Sequence, residues 1–324
     1  MPSAIVLHQS GAPENLQFEP VTVRDPLPNE VRLRHMAVGV NFHDIYVRSG
    51  LYQTLALPGT PGIEGVGFVV SVGAGVQNLK AGDRVAYIYT GYGAYAEERV
   101  LPADAVIRVP DGIDDHVIAA SLLKGLTAHV LLRQVYAVKP GDWVLVHAAA
   151  GGVGTLLSQW ATHMGAQVIG TVGSAHKVPL AERNGCAHII QYRQEDFVTR
   201  VKDITGGAGV QVAYDAVGKD TFFGSLECLA SCGHLANYGQ ASGPVPPFEV
   251  STLFAKSNSV SRPSVFHHLR SDEKRQAAAV AFFEALKSRA LKPDNITPFP
   301  LANAAQAHQA MESRSRHGSV ILTI

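Results

Sequence analysis

Cysteine is scarce in this sequence, and so are tryptophan and methionine. The 324 residues include three cysteines, two tryptophans and four methionines. A closed structural zinc site needs four soft ligands close together, so a chain with three cysteines excludes one. We expect Cys186, Cys228 and Cys232 to be reduced and to pack as small apolar side chains.

Neither sign of charge is in excess. The chain has 27 basic and 27 acidic residues, which gives a net charge of zero and a pI near 7.3. Because no basic stripe is present, the electrostatic footprint of a nucleic-acid or membrane-surface binder is missing. We also expect neither a secretion signal nor an apolar run long enough to cross a bilayer. These absences predict a cytoplasmic protein without nucleic-acid or membrane partners.

Hydrophobic residues make up 46% of the chain, enough for the cores of two domains. The first part has short β-type runs between Gly and Pro clusters, which predicts a compact β-rich domain. Its predicted strands are 4–8, 30–40, 65–72 and 84–89, and its predicted helices are 42–49 and 115–134. Late in the sequence, helices 272–289 and 302–313 precede a strand at 319–324, and we expect these segments to return to the first domain.

In the middle of the chain an apolar strand leads into a glycine-rich turn. The strand begins at Trp143, the turn reads Ala149-Ala150-Gly151-Gly152-Val153-Gly154, and a helical pattern runs from Thr155 to Met164. Without a side chain at Gly151 the backbone can approach a phosphate, and the start of the helix offers N–H donors. Gly154 lets the helix pack closely on the strand. The layout predicts a binding site for the pyrophosphate of a dinucleotide.

Strands and helices alternate after this turn, as a doubly wound parallel sheet of the α/β class requires. The further predicted strands are 167–172, 188–190, 210–214, 234–238 and one near Ser259. Three further helices are predicted: one that ends near Asn184, one at 197–204 and one at 221–230. Because Ala149 stands where the usual pattern has its first glycine, a glycine-rich connector in some other α/β protein is the alternative.

The end of the second strand distinguishes NAD from NADP, since an NAD enzyme places an acid there on the ribose 2′-hydroxyl. Here the chain reads Gly173-Ser174-Ala175-His176-Lys177, with small residues and a cation but no acid. This leaves room for a 2′-phosphate and supplies a lysine to pair with it. NADPH is therefore the predicted cofactor, and a solvated surface lysine is the alternative interpretation of Lys177.

Several motifs along the chain are similar to those of one family. They are Val38-Gly39-Val40-Asn41-Phe42 with Asp44, Tyr46 and Arg48-Ser49-Gly50-Leu51-Tyr52; Pro61-Gly62-Ile63-Glu64-Gly65; Lys124-Gly125-Leu126-Thr127-Ala128; the glycine-rich turn; Tyr214-Asp215-Ala216-Val217-Gly218; and Arg262-Pro263-Ser264-Val265-Phe266. On these motifs the chain resembles the zinc-free quinone oxidoreductases, the ζ-crystallin-like branch of the medium-chain dehydrogenase/reductase superfamily. The likeness covers essentially the whole sequence.

The resemblance implies a GroES-like catalytic domain, residues 1–125 and 266–324, interrupted by a Rossmann domain, residues 126–265. It also implies an active-site cleft between the domains, NADPH as the hydride donor, a quinone as the acceptor, and a homodimer. A catalytic zinc would want a cysteine where this chain has Asn41 and a histidine, beside Glu64, where it has Ile63. No ligand set remains, so we predict chemistry without a metal.

Without a Lewis acid, a quinone is easier to reduce than a simple ketone, because its aromatising ring spreads the incoming charge over two oxygens. The family pattern implies an acceptor site formed by Asn41, Tyr46, Tyr52 and Thr127. We expect Tyr46 to contact the acceptor oxygen, with Asn41 as second choice, and Asp44 to orient its neighbours. On spacing alone, these side chains would instead pack at a domain edge with their polar tips in water.

The family pattern also implies further cofactor contacts. Tyr192 would cover the adenine, and Tyr238-Gly239-Gln240 would lie along the nicotinamide ribose. Ser264-Val265-Phe266 would bring backbone to the carboxamide, and Arg314 would reach the 2′-phosphate. Core packing is the alternative for Phe266, and a solvated helix end is the alternative for Arg314. The size of the acceptor is expected to depend on two loops, 53–58 and 89–93.

Two other functions stay open on the sequence. Related zinc-free reductases with the same cofactor frame reduce activated alkenes such as enones or enoyl thioesters. A basic patch for a coenzyme A tail would favour a thioester, and none is visible. A non-catalytic role, RNA binding or crystallin-like storage with NADPH as a stabilising ligand, is disfavoured by the zero net charge and the lack of an RNA-reading motif.

Overall fold

The computed structural model describes residues 1–313 and 318–324. Contacts divide the chain into two units: the first comprises Met1–Leu123, Ser271–Ala279 and Pro293–Ile324, and the second comprises Lys124–Arg270 and Val280–Lys292. The first division falls close to the predicted boundary at 125/126. On the C-terminal side, the helix 272–287 is divided between the two units at Ala279. The predicted return to the first unit at residue 266 therefore stays a prediction.

The secondary-structure elements are numbered along the chain. The strands are β1 (Ser3–Leu7), β2 (Leu16–Pro20), β3 (Glu30–Val40), β4 (Glu64–Val72), β5 (Arg84–Ile88), β6 (Glu98–Pro102), β7 (Val106–Arg108), β8 (Trp143–Val146), β9 (Gln167–Val172), β10 (His188–Gln191), β11 (Val210–Asp215), β12 (Leu229–Asn237), β13 (Ser259–Ser261), β14 (Ile296–Pro300) and β15 (Ser319–Thr323). The α-helices are α1 (Phe42–Ser49), α2 (Asp115–Val130), α3 (Gly152–His163), α4 (Val178–Arg183), α5 (Phe197–Ile204), α6 (Phe222–Cys228), α7 (Val265–His268), α8 (Asp272–Lys287) and α9 (Ala304–Glu312).

The first unit is built mainly on antiparallel strands. Its larger sheet has the order β14-β15-β3-β4-β5-β7, with β6 also paired to β3, and β1 pairs with β2 in a separate sheet. Along the first half of β3 only alternate side chains, such as Val31 and Leu33, are buried, whereas Ala37 to Val40 are all buried. This buried end of β3 leads directly into α1, so α1 starts from a rigid, covered point.

The second unit has a parallel sheet with the order β10-β9-β8-β11-β12-β13. Leu145, Ile169, Ile190, Ala213 and Leu235 from successive strands pack in one buried cluster. The order of the strands reverses between β8 and β11, and ligands of such sheets bind at the carboxyl ends of the strands beside this reversal. The predicted α/β class with a doubly wound parallel sheet is confirmed.

Some observed boundaries differ from the sequence pattern, each for a local reason. Helix α3 begins at Gly152, where the helix is expected to open, although its apolar pattern starts only at Thr155, because glycines that are poor helix formers make its first turn. Strand β12 begins at Leu229 instead of His234, with a register shift near Cys232, whose φ is +61°. Strand β14 was not predicted because it contains two prolines, which its edge position tolerates.

The prediction that no apolar stretch could span a bilayer also needs correction. The helical run Asp115–Val135, which is α2 with a π-helical turn after it, is long and apolar enough by length and composition. However, 72% of its most apolar window is buried inside the protein. A helix covered by protein on most sides is typical of a core, which is why its composition resembles that of a membrane span.

Candidate functional site

The glycine-rich turn of the second unit lies at the carboxyl end of β8. The first bond of α3 runs from the Thr155 N–H to the Gly151 carbonyl, 2.8 Å. The amides of Gly152, Val153 and Gly154 come before that bond, so no carbonyl of a preceding helical turn receives them. With the positive end of the helix dipole behind them, these amides form a site suited to a phosphate.

The two outer glycines of this turn lack side chains for different reasons. A Cβ built on Gly154 would lie 2.2 Å from the Ala148 carbonyl oxygen, so the fold itself forbids one. A Cβ on Gly151 would approach nothing closer than that same oxygen at 3.1 Å, and the φ of Gly151 is an ordinary −85°. The fold therefore constrains position 151 less than position 154, and the predicted close approach of a ligand would be a further reason for glycine there.

Two cations lie near the end of β9. Lys177 is half-buried, and its pKa is lowered by burial and further by the positive charge of Arg193. A Cβ on Gly173 would lie 3.6 Å from the Tyr192 hydroxyl and 3.7 Å from Arg193 Nε, which places both side chains beside this strand end. Sequence reasoning found Lys177 and Tyr192 but missed Arg193, although Arg193 directly follows Tyr192. Paired cations with no acid between them suit a 2′-phosphate.

The carboxyl end of β12 carries the next predicted residues. The Tyr238 and Gly239 amides donate to the Asp215 carbonyl at 2.9 Å and 3.2 Å. A Cβ on Gly239 would lie 2.5 Å from the Ala216 carbonyl oxygen, so only glycine fits there. The Tyr238 hydroxyl is buried without a hydrogen-bond partner among the described residues, and its pKa is raised by burial and by the Asp215 charge. Gln240 follows in the same half-buried stretch.

For the remaining predicted cofactor residues, Ser264, Phe266 and Arg314, the described contacts do not bear on a cofactor. Ser264 precedes the short helix α7, and its carbonyl accepts hydrogen bonds from the amides of His267 and His268 at 3.1 Å and 3.2 Å. Phe266 is half-buried on that helix. Arg314 lies outside the described residues. The roles of all three stay predictions.

A buried polar network that sequence reasoning missed lies under the turn. The ring nitrogens of His147 lie 3.0 Å from Thr171 Oγ1 and 2.9 Å from Ser225 Oγ. Asp215 accepts bonds from Ser225 and Thr221 at 3.3 Å and 2.8 Å. Burial lowers the pKa of His147 and the Asp215 charge opposes that effect. The network ties β8, β9, β11 and α6 together and so fixes the strand ends that carry the turn.

In the first unit, Asn41 and Asp44 are connected by hydrogen bonds at the start of α1. The Asp44 carboxylate accepts from the Asn41 backbone amide at 2.8 Å and from the Tyr95 hydroxyl at 3.1 Å. The Asn41 side-chain nitrogen donates to the buried Glu64 carboxylate at 2.7 Å, and the other Glu64 oxygen accepts from the Leu123 amide at 2.8 Å. Both predicted residues therefore hold the entry of α1 in place.

Tyr46 and Tyr52 contact one another, and their place in an acceptor site stays a prediction. Their rings are in edge contact with centroids 5.1 Å apart, and the Tyr52 amide donates to the Tyr46 carbonyl. His43, which sequence reasoning missed, contacts Tyr52 edge-on at 5.6 Å and stacks on Tyr92 at 5.9 Å. These four rings form what we call the aromatic cluster. The sequence pointed to this cluster only through the loop 89–93, which contains Tyr92 and is expected to affect the size of the acceptor.

Thr127 lies on α2 within the second unit and is half-buried. Its place in the acceptor site stays a prediction. For metals, no group of three or more His, Cys, Asp or Glu side chains arranged to hold an ion occurs among residues 1–313 and 318–324. Cys186 and Cys228 are buried, and burial raises their thiol pKa values to about 11 and about 12, whereas Cys232 is exposed. The expectation that all three pack as apolar side chains is thus wrong for Cys232.

Comparisons with known proteins agree with this arrangement. Residues 27–111 match the family model of the alcohol dehydrogenase GroES-like domain, and residues 152–283 match that of the zinc-binding dehydrogenases. The chain is 42% identical to quinone oxidoreductase 1 of Escherichia coli K12 over 325 residues, which covers 99% of both chains. This chain belongs to the quinone oxidoreductase family of the medium-chain dehydrogenase/reductase superfamily.

Two further comparisons give the same identity. A 2-haloacrylate reductase of Burkholderia sp is 42% identical over 329 residues, again with 99% of both chains covered. The crystal structure of the Escherichia coli quinone oxidoreductase complexed with NADPH superposes with a TM-score of 0.96 at 42% identity, covering 99% of this chain and 100% of that one. The predicted GroES-like and Rossmann folds of this quinone oxidoreductase family member are confirmed.

Proposed function

We propose that this protein is an NADPH-dependent reductase of quinones. The observation that carries the proposal is the pairing of Lys177 and Arg193 at the end of β9, where no acid follows the strand. An acid there would bind the ribose 2′-hydroxyl of NAD, whereas two cations bind the 2′-phosphate of NADP. The full-length similarity to quinone oxidoreductases, one of them solved with NADPH, supports the same activity.

The residues of the second unit fit the cofactor. Gly151, which has no side chain to block a ligand, and the amides that follow it suit the pyrophosphate, and Lys177 with Arg193 suits the 2′-phosphate. The buried Tyr238 hydroxyl, which lacks a protein partner among the described residues, suits the nicotinamide ribose. When bound, NADPH supplies the hydride. The protein contributes position and orientation, since no step of its own adds electrons.

The residues of the first unit fit an acceptor that needs little activation. Tyr46 and Tyr52 offer hydroxyl donors on an aromatic surface, and aromatic faces bind flat conjugated rings. We propose that the Tyr46 hydroxyl donates a hydrogen bond to the quinone oxygen as charge develops on it. Asn41 and Asp44 hold α1, and thereby Tyr46, in place through their bonds to Glu64 and Tyr95.

A second candidate activity is reduction of an activated alkene. The similarity to a 2-haloacrylate reductase over 99% of both chains favours it, because a haloacrylate is an electron-poor alkene. The two activities need the same cofactor site and differ in the acceptor. Quinone reduction is the better supported because several relatives with that name match over nearly the full chain.

The experiment that tests the proposal follows NADPH absorbance with purified protein and a panel of quinones, enones, haloacrylates and enoyl thioesters. We expect oxidation of NADPH with quinones and a preference for NADPH over NADH. Oxidation with an alkene alone would establish the second candidate instead. If no acceptor supports oxidation although NADPH binds, the enzymatic proposal is wrong. Elemental analysis of the active protein tests the predicted absence of zinc.

A homodimer and a cytoplasmic location are further parts of the proposal. Strand β13 forms an edge of the parallel sheet, and close to it in the chain Val250 and Phe254 are 75% and 88% exposed. An open strand edge beside exposed apolar side chains suits pairing with a second copy. Light scattering should give twice the chain mass, and Phe254→Glu should shift the protein toward the monomer. Cell fractionation tests the location.

A further inference from the structure

The hydroxyl of Tyr92 joins two segments that are distant in the chain. It lies 3.0 Å from His43 Nε2 at the start of α1, and it is also hydrogen-bonded to the Thr54 hydroxyl. Thr54 belongs to the stretch between α1 and β4, whereas Tyr92 belongs to the stretch between β5 and β6. One phenol therefore ties together the loops 53–58 and 89–93.

The bonds at Tyr92 can all be formed without a buried charge. Burial lowers the pKa of His43 to about 4, so its ring is neutral at physiological pH. A neutral imidazole, a phenol and an alcohol form a chain in which each group has a donor and an acceptor to offer. The arrangement is therefore stable over the ordinary pH range and does not behave as a pH switch.

The aromatic cluster connects this point to the proposed acceptor residues. The Tyr92 ring stacks on His43, the His43 ring contacts Tyr52 edge-on, and Tyr52 contacts Tyr46. The rings thus form a continuous surface from the proposed donor hydroxyl of Tyr46 to the bridge at Tyr92. A shift of Tyr92 would move one end of that surface.

The loop that carries Tyr92 is held in a constrained conformation. Tyr92 has a φ of 35°, in the left-handed region that side chains other than glycine rarely adopt, and Gly93 follows at 102°. The Arg99 guanidinium lies 5.6 Å from the centre of the Tyr89 ring and donates to the carbonyl of Gly91, which directly precedes Tyr92, at 3.4 Å. Arg99 thus holds the backbone beside Tyr92, and the Tyr92 hydroxyl adds the bonds that connect this loop to His43 and Thr54.

We propose that Tyr92 determines the size of the acceptor by closing the loops 53–58 and 89–93 against each other through its hydroxyl. With the bridge intact, the two loops are held together and limit the width of the acceptor. With the bridge broken, the loops separate and a wide quinone gains access relative to a narrow one. This inference rests on the proposed reduction of quinones at Tyr46 and Tyr52.

The test compares a one-ring para-quinone with a three-ring ortho-quinone as substrates of the wild type, Tyr92→Phe and Thr54→Val. Loss of one hydrogen bond should raise the ratio of kcat/KM for the large quinone over the small one by about 3- to 10-fold. Thr54→Ser retains a hydroxyl and should keep the wild-type ratio. Because both substitutions break the same bridge, the double variant should differ little from Tyr92→Phe.

A second measurement is independent of turnover. Amide hydrogen exchange of Tyr92→Phe should be faster in residues 53–58 and 89–93 and unchanged in the parallel sheet of the second unit. An unchanged substrate ratio in an active Tyr92→Phe enzyme would overturn the inference, as would unchanged exchange in both loops. Inactivity of the wild type toward every quinone would contradict the proposed function itself. This result differs from a failure of the Tyr92 inference because it is obtained with the unsubstituted protein.

Discussion

The side-chain nitrogen of Asn41 donates a hydrogen bond to Glu64 over 2.7 Å, and both side chains are buried. Gly39 makes room for this pair, because a Cβ at that position would lie 2.1 Å from Glu64 Oε1. The entry of α1 is therefore fixed by a buried amide and carboxylate pair. Removing the Asn41 side chain takes one hydrogen-bond donor away from the buried Glu64 carboxylate, which keeps its bond to the Leu123 amide.

Asn41→Ala should accordingly destabilise the protein. Loss of the donor to a buried carboxylate is expected to cost about 1–3 kcal/mol of unfolding free energy, measured by chemical denaturation. NADPH affinity should stay near that of the wild type, since the cofactor residues lie in the other unit. Asn78→Ala, at an exposed position, serves as the control and should be neutral. Equal stability of the two variants would contradict the role of the pair.

The two outer glycines of the phosphate turn should respond differently to alanine. Gly154→Ala forces a methyl group against the Ala148 carbonyl and should reduce stability by about 1–3 kcal/mol, as seen in thermal or denaturant unfolding. Gly151→Ala should leave stability within about 1 kcal/mol of the wild type, yet weaken NADPH binding by at least about tenfold. Titration calorimetry supplies the affinities. Tight NADPH binding by Gly151→Ala would contradict the proposed approach of the pyrophosphate.

Replacing the proposed donor should slow turnover without affecting the cofactor. In Tyr46→Phe the ring and its contact with Tyr52 remain while the hydroxyl is lost. We expect kcat with a quinone to fall roughly tenfold, as for loss of one hydrogen bond in the transition state. The NADPH dissociation constant should not change. Full activity of this variant would remove Tyr46 from the mechanism.

Charge reversal at the end of β9 should change the cofactor preference. In Lys177→Glu the cation that is affected by the charge of Arg193 becomes an acid, which repels a 2′-phosphate and can bind a ribose hydroxyl. The KM for NADPH should rise by about 10- to 100-fold, while that for NADH should fall or stay constant. Arg193→Ala should raise the NADPH value in the same direction by a smaller factor. An unchanged KM for NADPH in both variants would exclude this site.

Stability should decrease in mild acid because of a buried histidine. Burial lowers the pKa of His35 to about 4, and its ring nitrogens bond the Ala96 carbonyl and the Tyr87 hydroxyl. Between pH 6.5 and pH 4 the unfolded chain takes up a proton that the folded one does not, so unfolding becomes easier as the pH falls. The loss should reach up to about 3 kcal/mol.

The matched variant for this effect is His35→Gln, which keeps polar atoms near both partners but does not titrate. Its unfolding free energy should depend less on pH between 6.5 and 4 than that of the wild type, whatever its value at neutral pH. Denaturant unfolding at pH 7, 5.5 and 4.5 measures both slopes. Identical slopes would mean that other groups cause the loss in acid.

The sequence predicts elements well where the pattern is local. Helices α1 and α5 and strands β3 and β9 have the predicted bounds, because capping residues, glycines and the alternation of apolar residues lie within each segment. The phosphate turn was predicted for the same reason. Each of these features depends on residues that are neighbours in the chain.

Contacts between distant segments could not be predicted in the same way. The bond between His43 and Tyr92 spans 49 positions and needs the pairing of β4 with β5 to bring its partners together. The network around His147 joins it to Ser225, 78 positions away. The residues next to His43 and His147 in the chain do not indicate these contacts, because the partners of both histidines are distant in sequence.

The strand pairing of the first unit affects how the protein can be made by a ribosome. Strand β3 pairs with β15, so that Val38 lies opposite Leu322. Translation produces Val38 well before Leu322, and the segment for the whole second unit emerges in between. The edge of β3 that pairs with β15 therefore stays unpaired until β15 has been synthesised. A stalled or truncated nascent chain would expose this edge, which is prone to aggregation and would need protection by chaperones.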